Sequence, residues 1–118
     1  RLFDMAREGN PDLLDYIDQG VNINLVNQDG QSFLMLAAYH GHADLVAALA
    51  GAGADVNLLN DRGQSPLAGA IFKKEDAVID ALLNAGASAT AGQPTAIDTA
   101  RMFGREDLLG RLEGESAQ

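Results

Sequence analysis

The 118 residues of this chain are enough for one domain. Hydrophobic residues make up 47% of the chain and aromatic residues only 5%, which predicts a core of Leu, Ala, Ile and Val. The lack of cysteine excludes disulfides and thiolate metal sites, and no apolar run approaches the roughly 20 residues of a membrane-spanning helix. The net charge is −9, and the segment from Glu8 to Asp61 holds eight acids without a lysine or arginine. Because phosphate and anionic-lipid binding need basic clusters, this distribution argues against nucleic acid and membrane partners.

The first thirty residues predict two short helices and an extended connection. Residues 2–8 form the first helix, and Pro11 suits the first turn of the second. Gly20 ends that helix because glycine readily takes a positive φ. Residues 21–29 then connect to a tight turn that closes at Gly30.

The middle of the chain repeats itself. The segment 27–57 recurs 33 residues later as 60–90, so that Gly30 aligns with Gly63 and Ser32 with Ser65. A self-match at one fixed period indicates a stacked repeat. We predict helices at about 32–39, 43–50, 65–72 and 76–84, separated by a second connection over residues 56–63.

The last segment departs from this period. Residues 87–94 form a connection that is three residues shorter, because Ala70 now matches Ala100, 30 positions on. We expect its turn to be clipped or absent. The final helices are predicted at about 95–102 and 105–113.

These motifs resemble the ankyrin repeat. Asp29-Gly30 opens the turn, Ser65-Pro66-Leu67 stands where the family has Thr-Pro-Leu, and Gly41-His42 and residues 53–57 (GADVN) follow in register. The resemblance, closest to small bacterial members, implies an all-α ankyrin-repeat solenoid of stacked helix-turn-helix units with β-turn fingers. We divide the single domain 1–118 into repeats of about 1–26, 27–59, 60–92 and 93–118, with the first and last as caps.

Two residues at an inner helix, the first helix of a repeat, predict local effects: Gly69 within that helix and Lys74 just after it. Gly69 loses roughly 1 kcal/mol of helix propensity relative to alanine, so we expect a packing reason for it. Lys74 stands where other repeats have Gly41 and Gly104. If the backbone is left-handed there, lysine incurs a steric cost that glycine avoids.

The side chains that the repeat does not dictate are the candidates for recognition. In the ankyrin family, finger tips and the ends of inner helices commonly contact partners, and aromatic residues in a desolvated groove are typical anchors. The resemblance therefore implies a partner-binding set of Gln28, Asp29, Gln31, Tyr39, His40, Asp61, Arg62, Gln64, Phe72, Lys73 and Met102. In the competing interpretation, Phe72 packs into the stack beside Ile71 and the tips only hydrate the turns.

The sequence offers no arrangement typical of catalysis. His40 and His42 are two residues apart and point different ways on a helix, and neither has a second histidine four residues on, so we predict no metal site. The resemblance implies that His42 bonds the backbone of a neighbouring turn. Ser32 and Ser65 stand at helix starts, where a hydroxyl accepts an N–H bond. We expect no catalytic residue and no cofactor.

We therefore predict a non-catalytic module that binds a protein through its finger tips and the concave face of its inner helices. The acidic first half either keeps the protein in solution or steers a basic partner. The second reading suggests an inhibitor or immunity-type protein that masks a basic enzyme. A regulatory segment of a longer chain is a further alternative, and an enzyme would need a convergent polar pocket. We expect a cytoplasmic monomer, with removal of an earlier signal peptide left open because the chain begins at Arg1.

Overall fold

The computed structural model describes residues 1–117, with side chains to residue 114. This part of the chain is all-α, as predicted, and its only β pairing is an isolated bridge between Val26 and Ser32. Its helices are α1 Leu2–Glu8, α2 Leu13–Asp18, α3 Phe33–Tyr39, α4 Ala43–Gly51, α5 Pro66–Phe72, α6 Asp76–Asn84, α7 Ala96–Met102 and α8 Glu106–Ala117. None of these helices combines the length and apolar character that crossing a bilayer would need.

Hydroxyl caps begin three of the inner helices at equivalent positions. The Ser32 Oγ accepts a hydrogen bond from the Met35 N–H at 3.1 Å, and the Ser65 Oγ accepts one from the Ala68 N–H at 3.1 Å. Thr95 repeats the arrangement with the Asp98 N–H at 3.0 Å. The predicted capping role of both serines is confirmed. Because each cap contributes about 1 kcal/mol, these positions fix where the inner helices start.

Left-handed residues end the inner helices. Gly9, Gly41 and Gly104 have φ values of 72°, 81° and 68°, and Lys74 takes the same conformation with φ 61°. Lys74 is the one non-glycine residue with positive φ within residues 1–117. The expected strain at Lys74 is therefore present, and a left-handed residue with a Cβ carries a cost of about 1–2 kcal/mol.

Replacing Lys74 by glycine should raise the free energy of unfolding by about 0.5–1 kcal/mol. Glycine removes the left-handed strain, and its greater freedom in the unfolded chain offsets part of that gain. Urea denaturation measures the change, and Lys74→Ala is the matched control because it removes the charge but keeps a Cβ. An equal gain in both variants would attribute the effect to charge and contradict the backbone argument.

The inner helices α1, α3, α5 and α7 stack in a row, and the outer helices α2, α4, α6 and α8 pack behind them. Ala37, Ala70 and Ala100 are fully buried on the inner row, where a small side chain lets neighbouring helices approach. The core is one continuous cluster along the stack. Since a single helix pair cannot bury its own apolar face, the core exists only between repeats.

Asparagine side chains hold the first two finger turns. The Asn27 Oδ1 accepts hydrogen bonds from the Asp29 and Gln31 N–H groups at 3.0 and 2.9 Å, and Asn60 repeats this with Arg62 and Gln64 at 3.0 Å each. These contacts close each turn without help from the helices.

The fingers also bond to one another. The Asp61 N–H donates to the Asp29 carbonyl at 3.1 Å, and the Gln93 N–H donates to the Gly63 carbonyl at 2.9 Å. The third finger has no asparagine-held turn and only bends over residues 92–94, which fits its predicted shortening. The three fingers therefore lie side by side.

The predicted end of the last helix was wrong. Helix α8 runs to Ala117, four residues beyond the expected end at 113. Gly114 lowers helix propensity, but it does not stop the helix. Gln118 lies outside the described residues.

Candidate functional site

The finger tips and the inner helices border a groove with a volume of ≈ 780 Å³. Its lining brings together eight of the predicted binding residues, namely Asp29, Gln31, Tyr39, Asp61, Arg62, Gln64, Phe72 and Met102. Three of the predicted residues do not line it. Gln28 is exposed on the first tip, and His40 and Lys73 are exposed just beyond the ends of α3 and α5.

Tyr39 is held in place on the groove floor. A Cβ added to Gly69 would lie 3.2 Å from the Tyr39 Cδ1 and Cε1 atoms, so the ring packs across the bare backbone of α5. The Lys73 Nζ lies 5.1 Å from the Tyr39 ring centroid, within the range of a cation–π contact. The expectation that packing explains Gly69 is therefore confirmed: glycine leaves room for the ring of Tyr39, a candidate binding residue.

Phe72, Met102 and Phe103 form an exposed apolar surface at the ends of α5 and α7, which we call the aromatic ledge. Their exposed fractions are 53%, 65% and 45%, and the two phenylalanine rings meet edge to face with centroids 5.5 Å apart. Phe72 does not pack into the stack beside Ile71, which is itself buried. The part of the competing interpretation that concerns Phe72 is therefore wrong.

The finger wall of the groove is polar. Asp29, Asp61 and Arg62 are exposed there, and none of them takes part in an ion pair among the side chains that the structure describes. Gln31 and Gln64 instead brace the turns, since their Oε1 atoms accept hydrogen bonds from the Asn27 and Asn60 Nδ2 groups at 3.1 and 2.8 Å. The charged residues of the wall thus remain available to a partner, and the glutamines are partly engaged.

A match to a family model confirms the resemblance that the repeats indicated. The model described as "Ankyrin repeats (3 copies)" matches residues 2–93. This chain belongs to the ankyrin-repeat family. Members of this family generally mediate protein–protein interactions on a non-catalytic scaffold.

Two relatives agree with this assignment. A stretch of 47 residues is 55% identical to the ankyrin repeat protein PA3287 of Pseudomonas aeruginosa and covers 39% of this chain and 28% of that protein. The solved human ASB11 ankyrin repeat domain is similar with a TM-score of 0.78 and 31% identity, over 97% of this chain and 53% of that structure. The chain therefore spans about a quarter of the length of one relative and about half of the other.

The ankyrin Gly-His pair serves the scaffold. The His42 Nε2 lies 2.7 Å from the Arg7 carbonyl oxygen, and a Cβ on Gly9 would lie 2.6 Å from the His42 ring. The expected structural role of His42 is confirmed. Its neighbour His40 has a pKa below the usual 6.5, because partial burial disfavours its charged form and His42, Lys73 and Arg7 repel the added charge, although Glu75 opposes them.

Sequence reasoning missed several residues of the groove. Met35 lies one helical turn before Tyr39, so a search at the i, i+4 spacing would have found it. Phe103 follows Met102 and occupies the same place in its repeat as the predicted binding residues His40 and Lys73. Pro94 comes from the clipped finger, where the loss of the 33-residue period removes any positional signal.

Proposed function

We propose that this ankyrin-repeat chain is a non-catalytic module that binds a partner protein in the groove between its fingers and its inner helices. The observation that carries this proposal is the aromatic ledge, where three large apolar side chains remain exposed beside a concave surface. Contiguous exposed apolar surface next to polar residues is typical of protein interaction sites.

The groove divides into anchors and a rim. Tyr39 and the ledge supply apolar area at the centre, where a bound segment would exclude water. Asp29, Asp61 and Arg62 supply charges at the edge, where they orient a partner and raise its association rate more than its affinity. Because few residues dominate most interfaces, we assign most of the binding energy to Tyr39 and Phe72.

The groove lining offers little support for an enzyme. Catalysis needs a nucleophile beside a base. Ser65 lines the groove, but it is buried and its hydroxyl caps α5. Both histidines lie outside the lining. These observations favour binding over catalysis.

Capture of the partner from the native source tests the proposal. Immobilised wild-type chain should recover a partner that the double variant Tyr39→Ala with Phe72→Ala loses. The matched control is Leu25→Ala with Val26→Ala, since both side chains are 41% exposed yet lie outside the groove lining. Circular dichroism must show that each variant is folded. Recovery of the same partner at equal yield by the folded groove variant would contradict the proposal.

A second candidate function is the masking of a basic enzyme, favoured by the eight acids and absent bases between Glu8 and Asp61. Charge-led binding weakens as salt shortens the Debye length from about 30 Å at 0.01 M to about 8 Å at 0.15 M. Titrating the captured partner at both salt concentrations decides between the candidates. A flat response would exclude the charge-led version and leave the groove proposal intact.

A further inference from the structure

We propose that the groove selects a segment of its partner with three features: a basic side chain, a central pair of apolar side chains and a carboxylate. The basic group would face Asp29 and Asp61, the apolar pair would cover the aromatic ledge, and the carboxylate would meet Lys73. This inference rests on the proposed function and adds the chemistry of the occupant.

The basic feature follows from two neighbouring carboxylates. Asp29 and Asp61 stand on adjacent tips that the Asp61 N–H to Asp29 carbonyl bond holds together at 3.1 Å. The Asp61 side chain lies over Gly30 of the first finger, where even an added methyl would collide with it, so the carboxylate stands close to the first tip. Both residues are exposed, and neither carboxylate has an ion pair among the described side chains. Two carboxylates side by side attract one guanidinium or ammonium group.

The ion pairs among the described side chains all lie away from the groove wall. Six acids pair with arginines at 2.6–3.6 Å, and none of those pairs involves the groove wall: Asp4, Asp76, Asp80, Asp98, Asp107 and Glu113. Arg62 follows Asp61 directly but lies beyond ion-pair distance of both tip carboxylates. It changes the net charge of the wall from −2 to −1 but pairs with neither carboxylate.

The acidic feature follows from Lys73, which lies just outside the groove lining, reaches over the Tyr39 ring and so forms a second edge. Its ammonium lies over the Tyr39 ring, and it has no ion pair among the described side chains of a chain with 17 acids and 8 bases. The ring attracts the cation through its face and accepts no conventional hydrogen bond, so the ammonium can still donate to a carboxylate. Lys74 follows it and is likewise exposed, so two lysines stand here against the single half-buried carboxylate of Glu75.

The apolar feature joins the two edges. Tyr39, Phe72 and Met102 are the last residues of α3, α5 and α7 and line the same groove as the charged finger wall. A segment that crosses the groove must therefore cover this surface with apolar side chains when it places its charges at the two edges. Reversing the segment would set its carboxylate against Asp29 and Asp61, which like-charge repulsion disfavours. The polarity of the edges therefore specifies direction as well as composition.

Peptide selection on the whole chain tests the inference. Random twelve-residue peptides displayed on phage are selected on the wild-type chain, and the recovered peptides are synthesised and titrated by fluorescence anisotropy at low salt. We expect a consensus with Arg or Lys separated from Asp or Glu by apolar residues. Removing the wall charges with Asp29→Asn and Asp61→Asn should weaken binding about 3- to 5-fold, and Lys73→Met should do the same. Each loss should vanish when the matching peptide charge is neutralised.

Two control variants separate local charge from net charge. Asp15→Asn with Asp18→Asn makes the same formal change on the exposed side of α2, and Arg1→Met removes one positive charge at the N-terminus. Both should bind the peptides as the wild type does. The inference would be overturned, and the proposed function would stand, if Phe72→Ala abolished peptide binding while the variants of Asp29, Asp61 and Lys73 left it unchanged. Failure to recover any peptide whose binding depends on Phe72 would count against both.

Discussion

Replacing Phe33 by alanine is expected to lower the free energy of unfolding by about 3–5 kcal/mol. Phe33 is fully buried and is among the largest side chains of the core. Its ring lies 4.9 Å from the Phe3 ring at an interplanar angle of 36°, so it joins the first repeat to the second. Domains of this size have a total stability of about 5–15 kcal/mol, and this single change would therefore remove a large part of it.

Urea denaturation followed by circular dichroism measures the loss from Phe33. The matched control is Phe103→Ala, which deletes the same atoms from a ring that is 45% exposed. We expect that control to change stability by less than about 1 kcal/mol, since most of its surface already contacts water. Similar losses from the two variants would mean that the interface between the first two repeats does not carry the stability that its burial suggests.

The second large effect is expected from a methyl group at Gly30. Gly30 and Gly63 occupy the same place in consecutive finger turns, with φ values of 76° and 75°. A Cβ at Gly63 would meet nothing within 4 Å, whereas a Cβ at Gly30 would lie 2.8 Å from the Asp61 backbone nitrogen. Gly63→Ala should therefore cost only the left-handed strain of about 1 kcal/mol, partly offset in the unfolded chain.

Gly30→Ala should lower the free energy of unfolding by about 2–3 kcal/mol, because overpacking adds to the same strain. The difference between the two variants isolates the contact between the first and second fingers. Thermal or urea denaturation of both proteins measures it. Equal losses would show that the second finger moves aside freely, which would also remove the fixed spacing of Asp29 and Asp61 on which our inference about the partner depends.

The fold could be predicted because the same residue types begin and end the helices at equivalent positions of successive repeats. Ser32 and Ser65 indicate where helices begin, and Gly41 and Gly104 indicate where helices end. The strain at Lys74 could be predicted because glycine at the equivalent positions of other repeats indicates a left-handed backbone there. The error at the last helix arose where this repetition ends and no following motif marks the C-terminus.

The groove could be predicted only in part. Aligning the repeats selected Tyr39 and Phe72, since these positions vary while the scaffold does not. The contact of Lys73 with the Tyr39 ring joins residues 34 positions apart, and no local pattern encodes their distance. Likewise, the sequence predicts Gln31 and Gln64 as free residues of the finger tips. In the structure, the side chain of each accepts a hydrogen bond from the asparagine of its own turn and helps to hold that turn. What a side chain does here depends on the adjoining repeat or turn.

Mapping the bound partner on the chain tests the central claim most directly. Amide chemical shifts of the labelled protein would be compared with and without the captured partner. We predict changes concentrated at residues 28–31 and 61–64 and at the ends of α3, α5 and α7, with α4, α6 and α8 nearly unchanged. Changes confined to the outer helices, with the amides of Tyr39 and Phe72 unmoved, would contradict the assignment of recognition to the groove.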